Sequence, residues 1–170
     1  DLAGLLHRLE RPTGPVDVVL DTDTYNEVDD QFALSYLLAS QDKLRVQALY
    51  AAPFYNENST GPADGMEKSY QEILKLLDLA GFSHLKNQVY RGSQEYLPDE
   101  HTPVPSPAAE DLAQRAMNYT PESPLYVVAI GAPTNIASAL LLQPAITDRV
   151  VIVWLGGHSV DWPDNQEFNA

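Results

Sequence analysis

The sequence has no cysteine among its 170 residues, and its 10 lysines and arginines are outnumbered by 24 aspartates and glutamates. Without cysteine, disulfide bridges, thiolate metal sites and cysteine nucleophiles are excluded. The net charge of −14 argues against a nucleic-acid partner, because phosphates demand a basic surface. The same charge argues against anionic membrane surfaces and is compatible with a bound cation.

Long apolar runs are also absent. No run reaches the ~18 residues that a membrane span requires, and no signal peptide is visible. Hydrophobic residues still make up 44% of the chain. This content predicts a globular protein, and we expect a single domain over residues 1–170. Because the chain begins at Asp1 and stops directly after a polar segment, we expect a fold that is incomplete at its C-terminal side.

Apolar runs bounded by turn residues predict five strands, at 16–20, 45–51, 88–92, 125–131 and 150–156. Helical patterns lie between them, at 28–39, 62–80, 107–118 and 134–142. This alternation predicts an α/β fold: a Rossmann-like, open, mostly parallel sheet with helices on both faces.

Two of these elements carry more detailed expectations. In the helix predicted at 28–39, Val28, Phe32, Tyr36 and Leu37 fall on one face, which we expect to be the apolar face of the helix. In the last predicted strand, Trp154 is expected to lie in the core.

Polar clusters follow four of the predicted strands. They occupy residues 21–30, 53–58, 131–135 and 156–169. In an open parallel sheet, ligands bind outside the carboxyl ends of the strands. The sequence therefore predicts that four strand ends converge on one acidic pocket.

The first cluster places five carboxylates within ten residues: Asp21, Asp23, Glu27, Asp29 and Asp30. Carboxylates this close repel one another, and a hard cation such as Ca²⁺ or Mg²⁺ binds several carboxylate and carbonyl oxygens. Asp29 and Asp30 are expected to begin the next helix, where the positive end of the helix dipole favours negative charge. The plainer alternative is that these aspartates are helix caps and solvated turn residues.

A second alternative concerns the first half of the cluster. An apolar strand followed by "DTDT" at 21–24 resembles the signature of haloacid-dehalogenase-type phosphohydrolases. That resemblance implies Asp21 as a nucleophile and Asp23 as an acid/base, with Mg²⁺ as the cofactor. It leaves Asp29 and Asp30 without a role.

Three segments together resemble the inosine–uridine-preferring nucleoside hydrolases. They are "DTDTYNEVDDQFAL" at 21–34, "GAPTNIASALLLQP" at 131–144 and "GG" with "EFN" within 156–169. The family usually has three residues between the second Asp and the Asp-Asp pair, whereas this chain has five, "TYNEV". The longer segment indicates a divergent subgroup.

The resemblance implies a role for each matching position. It makes Asp23 and Asp30 ligands of Ca²⁺, together with the main-chain carbonyl of Ile130, and makes Asp23 the base for the attacking water. The substrate-binding residues that it implies are Asp29, Asn56, Glu167 and Asn169.

The resemblance also implies a reaction, calcium-dependent hydrolysis of the N-glycosidic bond of ribonucleosides. The expected partner is a small-molecule nucleoside or related riboside, and we expect a homo-oligomer in the cytoplasm. A third alternative remains open, a module that binds metal and sugar without turnover.

Overall fold

Five parallel strands form one sheet in the part of the protein that the structure describes. The structure is a computed structural model that describes residues 2–157 and 161. Its strands are β1 (Val16–Thr22), β2 (Leu44–Ala51), β3 (Val89–Arg91), β4 (Leu125–Ala129) and β5 (Val150–Trp154). Its α-helices are α1 (Leu2–Arg8), α2 (Val28–Ala39), α3 (Pro62–Leu79), α4 (Pro107–Arg115) and α5 (Thr134–Leu142).

The strand order is β3-β2-β1-β4-β5, and every pair of neighbouring strands is parallel. β1 therefore lies at the centre, with the end of β2 on one side and the end of β4 on the other. The predicted open α/β sheet is confirmed. The predicted strands differ from the observed ones by no more than two residues at either end.

Two hydrophobic clusters pack on opposite faces of the sheet. One contains Val18 and Leu20 of β1 with residues of α2 and α3. The other contains Val19 of β1 with residues of α4 and α5. Alternate β1 side chains thus point to opposite faces, as the period of a strand requires, and both faces are covered by helices.

The apolar face expected for α2 is wrong. Val28, Phe32 and Tyr36 are exposed by 64%, 71% and 72%, and of the four expected residues Leu37 alone is buried, together with Leu34 and Leu38. The helix carries apolar side chains on two faces, and the periodicity alone could not say which one meets the sheet.

None of the helices formed by residues 2–157 is both long enough and apolar enough to cross a membrane.

The loop after β2 is held against α3 by a close backbone approach. An added Cβ on Gly65, in the second turn of α3, would lie 2.1 Å from the carbonyl oxygen of Phe54 and 2.9 Å from its ring. Only glycine permits this contact. Ser59 strengthens the same turn, because its hydroxyl donates to the Phe54 carbonyl at 3.0 Å.

We expect Gly65→Ala to lower the free energy of unfolding by about 1–3 kcal/mol, the usual cost of overpacking. The change should destabilise the protein even though alanine favours a helix over glycine by ~1 kcal/mol. Urea denaturation measures the difference. Gly14→Ala is the matched control, because no atom lies within 4 Å of the added Cβ there. Equal stability of the two variants would contradict the packing described.

Candidate functional site

Three aspartates are buried at the carboxyl end of β1. Asp21, Asp23 and Asp30 expose 0%, 3% and 5% of their surfaces. Asp21 is the next-to-last residue of β1, Asp23 follows the strand, and Asp30 lies in the first turn of α2. One alternative from the sequence was that these aspartates are solvated turn residues. Their burial argues against that alternative for Asp21, Asp23 and Asp30.

Asn135 joins the end of β1 to its neighbours. Its amide nitrogen donates to Asp21 Oδ2 at 2.9 Å and to the Ala51 carbonyl at 3.2 Å. Its amide oxygen accepts from the Ser93 N–H at 2.7 Å, from the Ser93 hydroxyl at 3.0 Å and from the Ser106 hydroxyl at 3.3 Å. One fully buried side chain therefore ties β1 and β2 to the segments that follow β3 and precede α4.

The two oxygens of Asp23 have different surroundings. Oδ2 accepts from the amide nitrogen of Asn26 at 2.9 Å. Oδ1 faces Gly131, just past the end of β4, where an added Cβ would lie only 2.7 Å away. Ile130, which directly precedes the "GAPTN" segment, donates its backbone N–H to the Asp21 carbonyl at 2.9 Å. The ends of β1 and β4 therefore meet at Asp23.

Trp154 lies at the same end of the sheet and not in the core. It is 39% exposed, and its indole N–H donates to the Gly131 carbonyl at 3.4 Å. The expectation of a core tryptophan is not met in the described part of the chain, where β5 pairs with β4 alone.

Asp30 and Asp29 are adjacent but differently placed. Asp30 Oδ1 accepts from the Thr22 hydroxyl at 2.6 Å, so its carboxylate is directed back to the end of β1. Asp29 is exposed, on the first turn of the same helix. This geometry makes Asp30 a candidate for a buried ligand set and leaves Asp29 accessible to a substrate.

Burial raises the pKa of all three buried carboxyls above the ordinary value of 3.8: to about 7 for Asp21, about 6 for Asp23 and about 7 for Asp30. Hydrogen bonds from Asn135, Asn26 and Thr22 respectively lower these pKa values and offset part of the effect. Negative neighbours raise them further: Glu27 and Asp29 act on both Asp23 and Asp30. The cluster therefore holds more negative charge than its own donors neutralise.

The donor set fits a hard divalent cation in type and in charge. Carboxylate oxygens are the ligands that Ca²⁺ and Mg²⁺ prefer, and Asp21 Oδ1 is a buried oxygen without a hydrogen-bond partner in the described part of the chain. Within residues 2–157 and 161, however, no group of three or more His, Cys, Asp or Glu side chains is arranged to hold a metal ion. Asp23 and Asp30 would need main-chain oxygens, water or further residues to complete a coordination shell.

The other predicted site residues are placed as follows. Ile130 directly follows β4 and precedes Gly131, the residue that faces Asp23. Asn56 donates from its amide nitrogen to Asn26 Oδ1 at 2.6 Å and is part of the cluster. Glu167 and Asn169 lie outside the described residues, so their roles stay predictions.

Sequence reasoning assigned no role to Asn26 or Thr22, the residues that donate to Asp23 and Asp30. Asn26 lies three residues after Asp23, and Thr22 lies between Asp21 and Asp23, in a segment already identified as polar. That proximity was the available signal.

Asp21 is poorly placed for the alternative role of a nucleophile. Its carboxylate has no exposed surface, and one of its oxygens is occupied by Asn135. A phosphate ester could not approach it without displacing the surrounding strand ends.

A separate cavity of about 290 Å³ lies at the opposite end of the strands, against the first residues of β1. Its lining includes Arg11, Asp17, Arg45 and Tyr119 and contains none of the aspartates at the carboxyl end of β1. It is therefore not the candidate site.

Comparison with known proteins gives one family. The sequence model of that family, described as inosine-uridine preferring nucleoside hydrolase, matches residues 18–170. The matched range includes the acidic cluster, the segment around Gly131 and the undescribed residues beyond 161.

Solved structures show the same fold. A purine-preferring ribonucleoside hydrolase from Gardnerella vaginalis is 24% identical, with a TM-score of 0.64 over 84% of this chain and 49% of that chain. The type III effector protein XopQ, solved in complex with adenosine diphosphate ribose, is 20% identical, with a TM-score of 0.64 over 99% of this chain and 54% of that chain. The chain thus spans about half the length of these structures.

Among curated proteins, a release factor glutamine methyltransferase from Enterococcus faecalis is 26% identical over 92 residues. That match covers 54% of this chain and 33% of the methyltransferase. It is too short and too distant to indicate a shared function.

We expect Asp21→Asn to stabilise the protein at high pH in the presence of a chelator. A carboxyl whose pKa is raised in the folded state favours folding while it is protonated, and this contribution is lost as pH rises from about 4 through about 7. Asparagine does not ionise, so the variant should exceed the wild type at pH 8 by at most about 4 kcal/mol in the free energy of unfolding. The difference should vanish near pH 4.

Urea denaturation across this pH range measures the effect. Asp42→Asn, at an exposed aspartate between α2 and β2, is the matched control and should follow the wild type throughout. Parallel curves for Asp21→Asn and the wild type would contradict the burial of a carboxylate whose Oδ1 has no hydrogen-bond partner among the described residues.

Proposed function

The chain belongs to the inosine-uridine preferring nucleoside hydrolase family, and from this membership we propose that the whole protein hydrolyses the N-glycosidic bond of ribonucleosides with Ca²⁺ as cofactor. The products are the free base and ribose. The observation that supports this most is the pair of buried carboxylates, Asp23 and Asp30, beside the exposed Asp29 at one end of β1.

Hydrolysis of a glycosidic bond passes through an oxocarbenium-like state at the sugar carbon. In the proposed mechanism Asp23 accepts the proton of the attacking water. Its Oδ2 is held by Asn26, and its Oδ1 lies at the end of β4. The negative charge gathered around the sugar favours the cationic transition state.

Asp23, Asp30 and the main-chain carbonyl of Ile130 would hold the Ca²⁺ ion. A bound cation lowers the pKa of a water molecule on it and offsets the charge that burial makes costly. Asp29 would bind the ribose hydroxyls, together with Glu167 and Asn169, and Asn56 would belong to the same substrate-binding pocket. The buried position of Asp30 and the exposed position of Asp29 support this division.

The proposed partner is a small-molecule nucleoside or a related riboside. The neighbours that support this class are a ribonucleoside hydrolase and an effector solved with adenosine diphosphate ribose. The whole protein is proposed to act as a homo-oligomer.

The reaction is tested by incubating the full-length protein with inosine, uridine and a generic phosphate ester, before and after treatment with a chelator. We expect release of free base and ribose from a nucleoside, its loss in the chelator and its recovery when Ca²⁺ is added. Release of phosphate with Mg²⁺ would favour the phosphohydrolase alternative. Binding of Ca²⁺ and nucleoside without any product would favour the non-catalytic alternative.

Alanine substitutions of the two adjacent aspartates should have different effects on kcat and on Ca²⁺ affinity. We expect Asp29→Ala to lower kcat by about 10²–10³-fold, in the range of lost transition-state contacts, with little change in Ca²⁺ affinity. We expect Asp30→Ala to weaken Ca²⁺ binding, with activity partly recovered at high Ca²⁺ concentration. Steady-state kinetics and calorimetric Ca²⁺ titration separate the two effects.

Asp148→Ala, at an exposed aspartate before β5, is the control and should change neither quantity. If Asp29→Ala and Asp30→Ala lose Ca²⁺ affinity equally and neither alters kcat at saturating Ca²⁺, the proposed division of roles is wrong.

A further inference from the structure

The side chain that holds Asp23 is itself held by a chain of amides from the loop after β2. Asn26 lies within the segment 24–28, between Asp23 and Asp29, and donates to Asp23 Oδ2 at 2.9 Å. Asn56 donates to Asn26 Oδ1 at 2.6 Å. The Asn58 backbone N–H donates to Asn56 Oδ1 at 2.9 Å. Two loops from neighbouring strands are therefore joined through side-chain amides.

The backbone N–H of Asn58 fixes the direction of every hydrogen bond in this series of amides. A backbone N–H can only donate, so the atom of Asn56 that receives the Asn58 N–H must be the amide oxygen. The amide nitrogen of Asn56 then points to Asn26 and can only donate, so Asn26 presents its oxygen there. The remaining group of Asn26, its NH₂, is left to face Asp23, whose ionised carboxylate can only accept.

The backbone of Asn26 is held as well. Its N–H donates to the Asp23 carbonyl at 2.7 Å, which closes a tight turn, and its carbonyl accepts from the Asn58 amide nitrogen at 3.2 Å. The Asn58 carbonyl in turn accepts from Lys68 of α3 at 2.9 Å. The backbone of Asn26 is therefore fixed, and the direction of its side-chain amide is set by Asn56.

We propose that Asn26 is a positioning residue for the reaction, which fixes the orientation of the Asp23 carboxylate, and that Asn56 acts through Asn26 by fixing which way its amide points. This inference rests on the proposed function for its effect on catalysis. The hydrogen-bonded chain itself does not depend on that function. With Oδ2 committed to Asn26, the Oδ1 of Asp23 is the oxygen left to face the end of β4, at Gly131.

If Asn56 acts by orienting the amide of Asn26, two substitutions of Asn56 should affect activity in an unusual order. Asn56→Asp keeps the shape of the side chain and the oxygen that accepts from Asn58, but replaces the donor to Asn26 with an acceptor. Asn26 must then turn its amide over, which places its oxygen against the Asp23 carboxylate. Asn56→Ala removes the donor without forcing that turn. The nearly isosteric Asn56→Asp should therefore be more damaging than Asn56→Ala.

The test uses full-length protein with kinetics on a nucleoside. Asn26→Ala and Asn56→Asp should each lower kcat by about ten- to a hundredfold, the effect of losing an orienting hydrogen bond to a charged group, with KM little changed. In the Asn26→Ala background, Asn56→Asp should lower kcat no further. Asn118→Asp makes the same chemical change at an exposed asparagine after α4 and should resemble the wild type.

Two kinetic outcomes would overturn the inference. If Asn56→Asp keeps its full effect in the Asn26→Ala background, Asn56 acts on the substrate directly. If Asn56→Ala is more damaging than Asn56→Asp, the loss comes from packing and not from amide orientation.

The same variants distinguish failure of this inference from failure of the proposed function. The free energy of unfolding in a chelator requires neither metal nor activity. If the wild type releases no base and no ribose, the proposed function fails, and the order of the unfolding free energies still decides whether Asn56 acts through Asn26. If the effects of Asn26→Ala and Asn56→Asp on the free energy of unfolding are additive, Asn56 does not act through Asn26.

Discussion

The arrangement of the whole site depends on one buried amide, that of Asn135. Both of its N–H groups and its oxygen are engaged, with Asp21 and Ala51 on one side and Ser93 and Ser106 on the other. These partners come from β1, β2 and the segment between β3 and α4. Replacing Asn135 would leave several buried polar groups without partners, each at a cost of about 1–3 kcal/mol. The strand ends that carry the candidate site residues are therefore positioned by the core beneath them.

Next to Asn135 lies a cluster of buried carboxyl groups that destabilises the fold. Asp21, Asp23 and Asp30 are buried, and burial raises the pKa of each. Each carboxyl has a neutral hydrogen-bond donor, from Asn135, Asn26 or Thr22, and the described residues supply no ion pair with any of the three. Neutral donors orient carboxylates without cancelling their charge. Such perturbed groups in one place are typical of functional sites, where a ligand supplies what the protein lacks.

The general architecture could be predicted from the sequence because it rests on local signals. Continuous aliphatic runs gave β1, β4 and β5, and proline at the start of α3 with Gly81 beyond its end gave the bounds of that helix to within one residue. The position of the candidate site followed from topology, since parallel strands bring their carboxyl ends to one end of the sheet. The hydrogen bonds could not be predicted in the same way. Asn26 and Asn56 are 30 residues apart, and only the folded sheet brings their amides together.

The error over α2 shows how the site and the core constrain each other. The periodicity of this helix is satisfied both by Val28, Phe32 and Tyr36 and by Leu34, Leu37 and Leu38, and only the second set is buried. Asp30 decides between the two faces. It lies four residues before Leu34 and seven before Leu37, so the rotation that directs Asp30 to Thr22 also turns those leucines towards the sheet. A helix with two apolar faces is therefore oriented by its one buried carboxylate. The sequence already implied Asp30 as a ligand, and requiring that ligand to face the end of β1 would have identified the correct apolar face.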